Sequence, residues 1–170
     1  MQSLSRVDRA LLRGVQALAG RHHALDLATI FAARWGSYLQ ILVWLSLLGD
    51  WRHAGFVRGW LRTGLALGLV TLPVFALRAL LPRQRPFEVA DAVPLVAREP
   101  GPSFPSRHTA SAVAMALAVR PTSPGRGAVM VLLAIWMGLA RIQCGLHYPS
   151  DVLGGALLGW LAARVARAVL

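Results

Sequence analysis

The sequence predicts an all-α protein, a polytopic membrane bundle of about five transmembrane helices preceded by an N-terminal amphipathic interfacial helix. Three observations carry this. Hydrophobic residues fill 56% of the 170 positions and the mean hydropathy is +0.54, too apolar for a soluble domain of this size. Several apolar runs approach the roughly 20 helical residues that cross a bilayer core. These runs end at arginines or at Pro- and Gly-rich breakers, as anchored spans do. No repeat or second domain is visible, so residues 1–170 read as one integral membrane domain.

The N-terminal stretch places Leu4, Val7, Leu11, Val15 and Leu18 at spacings of three and four, with Arg6, Arg9 and Arg13 on another face. It is an amphipathic helix, either lying in the interface or packed on the bundle. Its charges interrupt any apolar core, so no cleavable signal peptide is expected. The first span runs over residues 25–48, with Asp26 and Arg34 in its first half near water or protein. The second runs over residues 60–81, bounded by Arg62 and Arg78, whose long side chains can snorkel to the interfaces. Residues 82–106 form a long loop rich in proline and mixed charge, the kind that is usually functional or disordered. A shorter run at 106–119 ends at the breaker "RPTSPGRG", and a fourth covers 128–140. The last fills 152–170, where Gly154, Gly155 and Gly159 offer a small-residue face for close helix packing.

The charge is one-sided: Lys+Arg 18 against Asp+Glu 7 gives +11, without a single lysine. Such an excess suits nucleic acid, anionic headgroups or a phosphorylated substrate. Nucleic acid is disfavoured, because the arginines sit at the ends of apolar runs and form no continuous basic stripe. The single Cys144 excludes an intrachain disulfide. Five crossings put the loops around Arg85–His108 and Arg141–Asp151 on one face. The opposite face then receives Arg52, Arg58, Arg120, Arg126, Arg164 and Arg167 in short loops poor in acid, the cytoplasmic pattern. Both motif loops are therefore expected outside, at the periplasmic or exterior surface.

Three polar clusters meet on that face: "RALLPRQRP" with Arg78, Arg83 and Arg85; "PSRH" with Ser106, Arg107 and His108; and "RIQCGLHYPSD" with Arg141, His147 and Asp151. Converging arginines suit phosphate, since a guanidinium is always charged and forks onto two oxygens. Ser106, at a helix start, adds a hydroxyl and free backbone N–H groups. The histidines supply a nucleophile or base and a proton donor. Asp151, four residues after His147, is close enough to take a hydrogen bond from one ring nitrogen and leave the other aligned. His147 is then the better nucleophile, and His108, set among donors, suits protonation of the leaving oxygen.

These blocks resemble the signature of the type 2 phosphatidic acid phosphatase superfamily, K-x6-R-P, P-S-G-H and S-R-x5-H-x3-D. The spacing agrees from Arg78 to Arg85-Pro86, through Pro105-Ser106-Arg107-His108, to Arg141, His147 and Asp151. The blocks span 78–86, 105–108 and 141–151, in the second half of the chain. The resemblance implies a membrane lipid phosphatase in which His147 becomes a phosphohistidine, Asp151 orients it and His108 protonates the leaving group. Arg78, Arg85, Ser106 and Arg141 would hold the phosphate, and no metal or cofactor is implied. Arg78 stands for the family lysine, Ala140 for a serine, and Arg107 for a glycine; the Arg107 side chain could bind a second phosphate. The small size and the contexts "FPSRHTASA" and "GLHYPSDVLGG" look most like the bacitracin-resistance type of undecaprenyl-diphosphatase. That type implies lipid-carrier recycling for peptidoglycan in a bacterial plasma membrane.

Alternative substrates are phosphatidylglycerophosphate, phosphatidate and lipid A phosphate. A non-catalytic lipid-binding or transport protein could use the same arginines, but it needs no nucleophile, orienting carboxylate and acid. A vanadium-dependent haloperoxidase, with a similar pocket by resemblance, would be large and soluble. Taken singly, Arg78 and Arg83 also read as interfacial anchors. His22, His23 and His53 read as boundary residues, Cys144 as a small buried residue, and the six tryptophans as interface or packing residues. Nothing in the sequence specifies an oligomeric state.

Overall fold

The computed structural model describes residues 2–52, 55–89 and 91–170, with side chains from residue 6 onward. His53 and the Leu4 side chain lie outside the described residues. Among the described residues, six α-helices follow in order: α1 Gln2–Gln16, α2 His23–Leu45, α3 Phe56–Leu80, α4 Arg107–Val119, α5 Pro124–Gln143 and α6 Pro149–Val169. Pro124 and Pro149 open α5 and α6, where a missing N–H costs nothing. Among the described residues, α2 (extended by a 3₁₀ turn to Asp50), α3, α5 and α6 are long and apolar enough to cross a membrane. Their outer faces carry exposed residues such as Leu72, Leu132 and Leu153, as lipid contact requires.

The remaining apolar run is α4, whose 13 residues rise about 20 Å, short of a bilayer core of about 30 Å. It need not match the bilayer, because protein covers it on three sides. Ala110, Ala114 and Ala118 join Ala66, Val70 and Val74 of α3 and Ala162 and Ala166 of α6. Met115, Ala116 and Val119 meet Leu47 and Met130. Ala112 meets Ala134 and Met137. The alanines let the backbones approach closely. A Cβ on Gly155 or Gly159 would run into the carbonyl oxygen of Ser106 or Ala110, so the expected small-residue face of α6 seats it on α4.

The alternation of chain direction collects the two motif loops at one end, as expected. The other end holds the Asp50–Arg126 ion pair and the contact of Thr122 with Gly59. Polar cross-links join α2 to α5 inside the bundle: Gln40 Nε2 donates to the Met130 carbonyl at 2.8 Å, and Thr29 Oγ1 to Gln143 Oε1 at 2.9 Å. Such bonds hold helices that have no hydrophobic drive to associate in lipid.

Helix α1 combines the two N-terminal readings. Its docking face is Asp8, Leu12 and Gln16 rather than the apolar stripe, while Val7 and Leu11 stay exposed. Leu12 packs beside Ile142 and Tyr148. The helix ends at Gln16, so Leu18 belongs to the following turn. A polar anchor, detailed below, decides which face turns inward.

Candidate active site

Arg78, Arg85, Glu99, Pro100, Arg107, His108 and His147 line one cavity of about 300 Å³ at the motif-bearing end. Each is placed by a helix end, by the loop between α3 and α4 or, for His147, by the loop between α5 and α6. Arg78 sits in the last turn of α3 and donates from Nη1 to the Pro105 carbonyl at 3.2 Å. Arg85, almost fully buried at 2% exposure, donates from Nε to the Gly101 carbonyl at 3.0 Å and from Nη1 to the Leu146 carbonyl at 3.2 Å. Arg141, also 2% exposed, comes from the last turn of α5.

Arg141 and Arg85 converge on one carboxylate. Arg141 Nη1 bonds Glu99 Oε1, and Arg85 Nη2 lies 3.5 Å from Glu99 Oε2. Unpaired, a buried guanidinium costs several kcal/mol, so this arrangement demands an anion in the cavity. Burial disfavours the Glu99 anion, yet the charge and hydrogen bond of Arg141 hold its carboxyl below the usual range. The fork that holds two carboxylate oxygens can equally hold two phosphate oxygens.

His147 lies in the short loop between α5 and α6 and is 1% exposed. Its Nε2 is 3.5 Å from Arg85 Nη1, on the cavity side. Its Nδ1 is 3.7 Å from Asp151 Oδ2, longer than a good hydrogen bond. The Ser103 hydroxyl fills the gap, 3.4 Å from Nδ1 and donating to Asp151 Oδ2. Asp151 Oδ2 also accepts the Tyr148 N–H at 2.8 Å, which fixes the carboxylate in the first turn of α6. Burial lowers the His147 imidazole below its ordinary value, against the Asp151 carboxylate beside Nδ1, which raises it. The lowered pKa favours the neutral ring, whose Nε2 lone pair faces Arg85 Nη1 on the cavity side when Nδ1 carries the proton.

Every residue expected at the site is at this end, with one difference of detail. Ser106 is fully buried and its hydroxyl meets Thr109 Oγ1 at 3.0 Å rather than the cavity. Its N–H bonds the Asp151 carbonyl at 2.9 Å, tying α4 to α6. Arg107 is exposed at the cavity rim. Cys144 is buried, and burial pushes its thiol up to about 11, the behaviour of an unreactive residue. Among the described residues, no three His, Cys, Asp or Glu side chains gather to hold a metal ion.

Four residues escape sequence reasoning or are undervalued by it. Ser103 and Glu99 lie in the long loop without a marking motif. Arg83, readable as a mere anchor, donates from Nη1 to Asp151 Oδ1 and to Ser150 Oγ, both at 2.8 Å. Its Nη2 reaches Asp8 Oδ2 at 2.8 Å. Asp8, 4% exposed, also accepts the Ser150 N–H at 2.9 Å. A one-residue surplus of arginine beside a motif was the only available signal.

A helical membrane bundle that gathers buried arginines, a neutral histidine and its carboxylate where helix ends meet the interface is built to handle the phosphate of a lipid. The chain belongs to the PAP2 superfamily, whose family model matches residues 59–170. It is 29% identical over 150 residues to undecaprenyl-diphosphatase BcrC of Bacillus subtilis, covering 87% of this chain and 76% of that one. It is 32% identical over 156 residues to decaprenylphosphoryl-5-phosphoribose phosphatase of Mycolicibacterium smegmatis, covering 91% and 84%. The crystal structure of Aquifex aeolicus LpxE superposes with a TM-score of 0.78 at 28% identity, covering 94% of this chain and 93% of that one. The protein is thus a membrane phosphatase of lipid phosphates.

Proposed function

We propose that the chain converts undecaprenyl diphosphate to undecaprenyl phosphate through a phosphohistidine at His147, in a bacterial plasma membrane with the cavity facing outward. The observation that carries this is the convergence of buried Arg85 and Arg141 on one anion beside His147 Nε2. Burial, then the charge of Arg141, lower the His108 pKa to about 3 in the free protein, so in this scheme His108 takes up a proton as the phosphate anion binds beside it. Nε2 then attacks the terminal phosphorus, the P–O bond to the lipid phosphate breaks, and His108 gives that oxygen its proton. A water then attacks the phosphohistidine and passes a proton back to His108, and inorganic phosphate leaves. Arg78, Arg85 and Arg141 neutralise the phosphoryl oxygens throughout, so a divalent cation has no role in this scheme. Ser106 acts indirectly in this scheme, its N–H on the Asp151 carbonyl holding the start of α4 against α6.

Two further observations favour a diphosphate on a polyprenyl chain. Arg107 adds a cation at the rim, where a second phosphate would lie. The relative named undecaprenyl-diphosphatase aligns with most of the chain. A second reading, a polyprenyl-linked phosphomonoester, is favoured by the mycobacterial relative. The outward orientation is supported by the arginine-rich connections at the other end.

Phosphate release by the purified protein from undecaprenyl diphosphate, phosphatidylglycerophosphate, phosphatidate and lipid A phosphate, with EDTA present, tests the reading. The highest kcat/KM is expected on the diphosphate, with vanadate inhibiting as a phosphoryl transition-state mimic. A preference for a monophosphate transfers the assignment to that lipid. Binding without release from any of them makes the protein a lipid carrier.

A further inference from the structure

At the end remote from the catalytic cavity, the tips of α4, α5 and α6 enclose a second pocket of about 390 Å³. Arg120, Arg164 and Arg167 stand on its walls, with Leu117, Trp160 and Ala163 among its apolar lining. Among the described residues, no acidic side chain balances them. Of the seven acidic residues in the chain, only Asp50 lies at this end among the described residues, and Asp50 pairs with Arg126. Three guanidinium groups around one concavity repel each other unless an anion joins them.

An independent observation comes from the neighbouring helix. Arg62 of α3 is 6% exposed, and its Nε and Nη1 are buried without any hydrogen-bond partner. The charges that act on it are those of Arg58 and Arg167, both of its own sign. A buried, unpartnered guanidinium is costly, and the like charges of two more arginines make the cost larger. Arg167 belongs to both groups, as a wall of the pocket and a neighbour of Arg62.

The shape of α6 distinguishes a lipid from a free ion. Leu153, Leu157, Trp160 and Leu161 form an exposed stripe along α6, and Arg164 closes it one turn beyond Trp160, lying 5.8 Å over that ring. An acyl chain can follow this stripe while its phosphate reaches the arginines at headgroup depth. We propose that this pocket binds the phosphodiester headgroup of an anionic phospholipid in the leaflet opposite the catalytic cavity. The proposal depends on the membrane fold and not on the phosphatase chemistry.

Native mass spectrometry of protein released from nanodiscs of phosphatidylcholine doped with phosphatidylglycerol reads the site directly. The wild type retains a phosphatidylglycerol adduct, and Arg164→Gln combined with Arg167→Gln weakens retention about tenfold, the scale of a lost charge-assisted bond. Arg62→Gln also weakens it, whereas Arg85→Gln, which alters only the catalytic cavity, keeps it. Both far-end arginines are exposed, so the double variant is expected to unfold at the wild-type temperature in pure phosphatidylcholine, which separates loss of binding from loss of fold. Equal retention by the double variant, or loss with Arg85→Gln alone, overturns the proposal. Thermal stabilisation by inorganic phosphate alone, abolished by the double variant, assigns the pocket to free phosphate and overturns the lipid reading.

Discussion

Ser103 bridges His147 and Asp151: its hydroxyl is 3.4 Å from Nδ1 and donates to Oδ2, while the two residues themselves stand 3.7 Å apart. The imidazole is thereby oriented through a hydroxyl as well as by the carboxylate. A neutral ring with its Nδ1 proton directed at this pair keeps the Nε2 lone pair toward the cavity.

His147→Ala is expected to abolish turnover in a protein that still inserts and folds, and Asp151→Asn to leave weak residual activity. Ser103→Ala removes one charge-assisted hydrogen bond, worth about 1.5 to 3 kcal/mol and so about ten- to a hundredfold in kcat, with little change in KM. Steady-state kinetics of the three variants check this ranking. Ordinary turnover by His147→Ala would rule out the phosphohistidine.

Arg83 and Asp8 extend the same support outward. Asp8 holds Arg83 and the Ser150 N–H, and Arg83 holds Asp151. Burial works against the Arg83 charge, but Asp151 and Asp8 together raise its affinity for the proton. Arg83→Gln is expected to lower kcat by about tenfold, and Asp8→Asn by less, with KM nearly constant. The double variant should lose little more than Arg83→Gln alone, because residues of one network are not additive. Fully additive losses would show that α1 stabilises the fold without steadying Asp151.

Arg107 separates substrates. Arg107→Gly should depress turnover of undecaprenyl diphosphate about ten- to a hundredfold and hardly affect a lipid monophosphate, because only the former offers a second anion to the rim. Equal losses on both lipids would place the side chain on the common phosphate, and no loss on either would make it an interfacial anchor.

The pH profile follows from His147. Burial lowers its pKa, so the lone pair persists below the ordinary histidine value of about 6.5, and the acid limb of kcat/KM is expected below that pH. The Asp151 carboxylate raises the same pKa, so Asp151→Asn should move the limb further toward acid. Comparing the two enzymes on one lipid cancels the ionisation of the substrate itself. A limb that moves toward neutral pH in the variant contradicts the assignment of His147 as nucleophile.

Much of this was readable from the chain because the relevant physics is local. Apolar runs of span length need no partner to declare a bilayer, and the five runs correspond to α2 through α6. His147 and Asp151 are four residues apart, and Arg78 and Arg85 seven, so one turn or loop brings each pair together whatever surrounds it. Gly155 and Gly159 announced a close helix contact through their own spacing, though not that α4 was the partner.

What only the tertiary structure decided involves groups far apart in sequence. Asp8 meets Arg83 across 75 positions and Ser103 meets Asp151 across 48, distances at which periodicity carries no information. The inward face of α1 is chosen by that buried acid against the apolar stripe, because an ion pair with Arg83 outweighs two leucine-sized contacts that lipid satisfies equally well. Glu99 occupies the arginine fork for the same reason, since buried cations recruit whatever anion the fold brings within reach. At the remote end Asp50, the acidic side chain there among the described residues, is taken up by Arg126, and Arg62 is left buried with like charges acting on it.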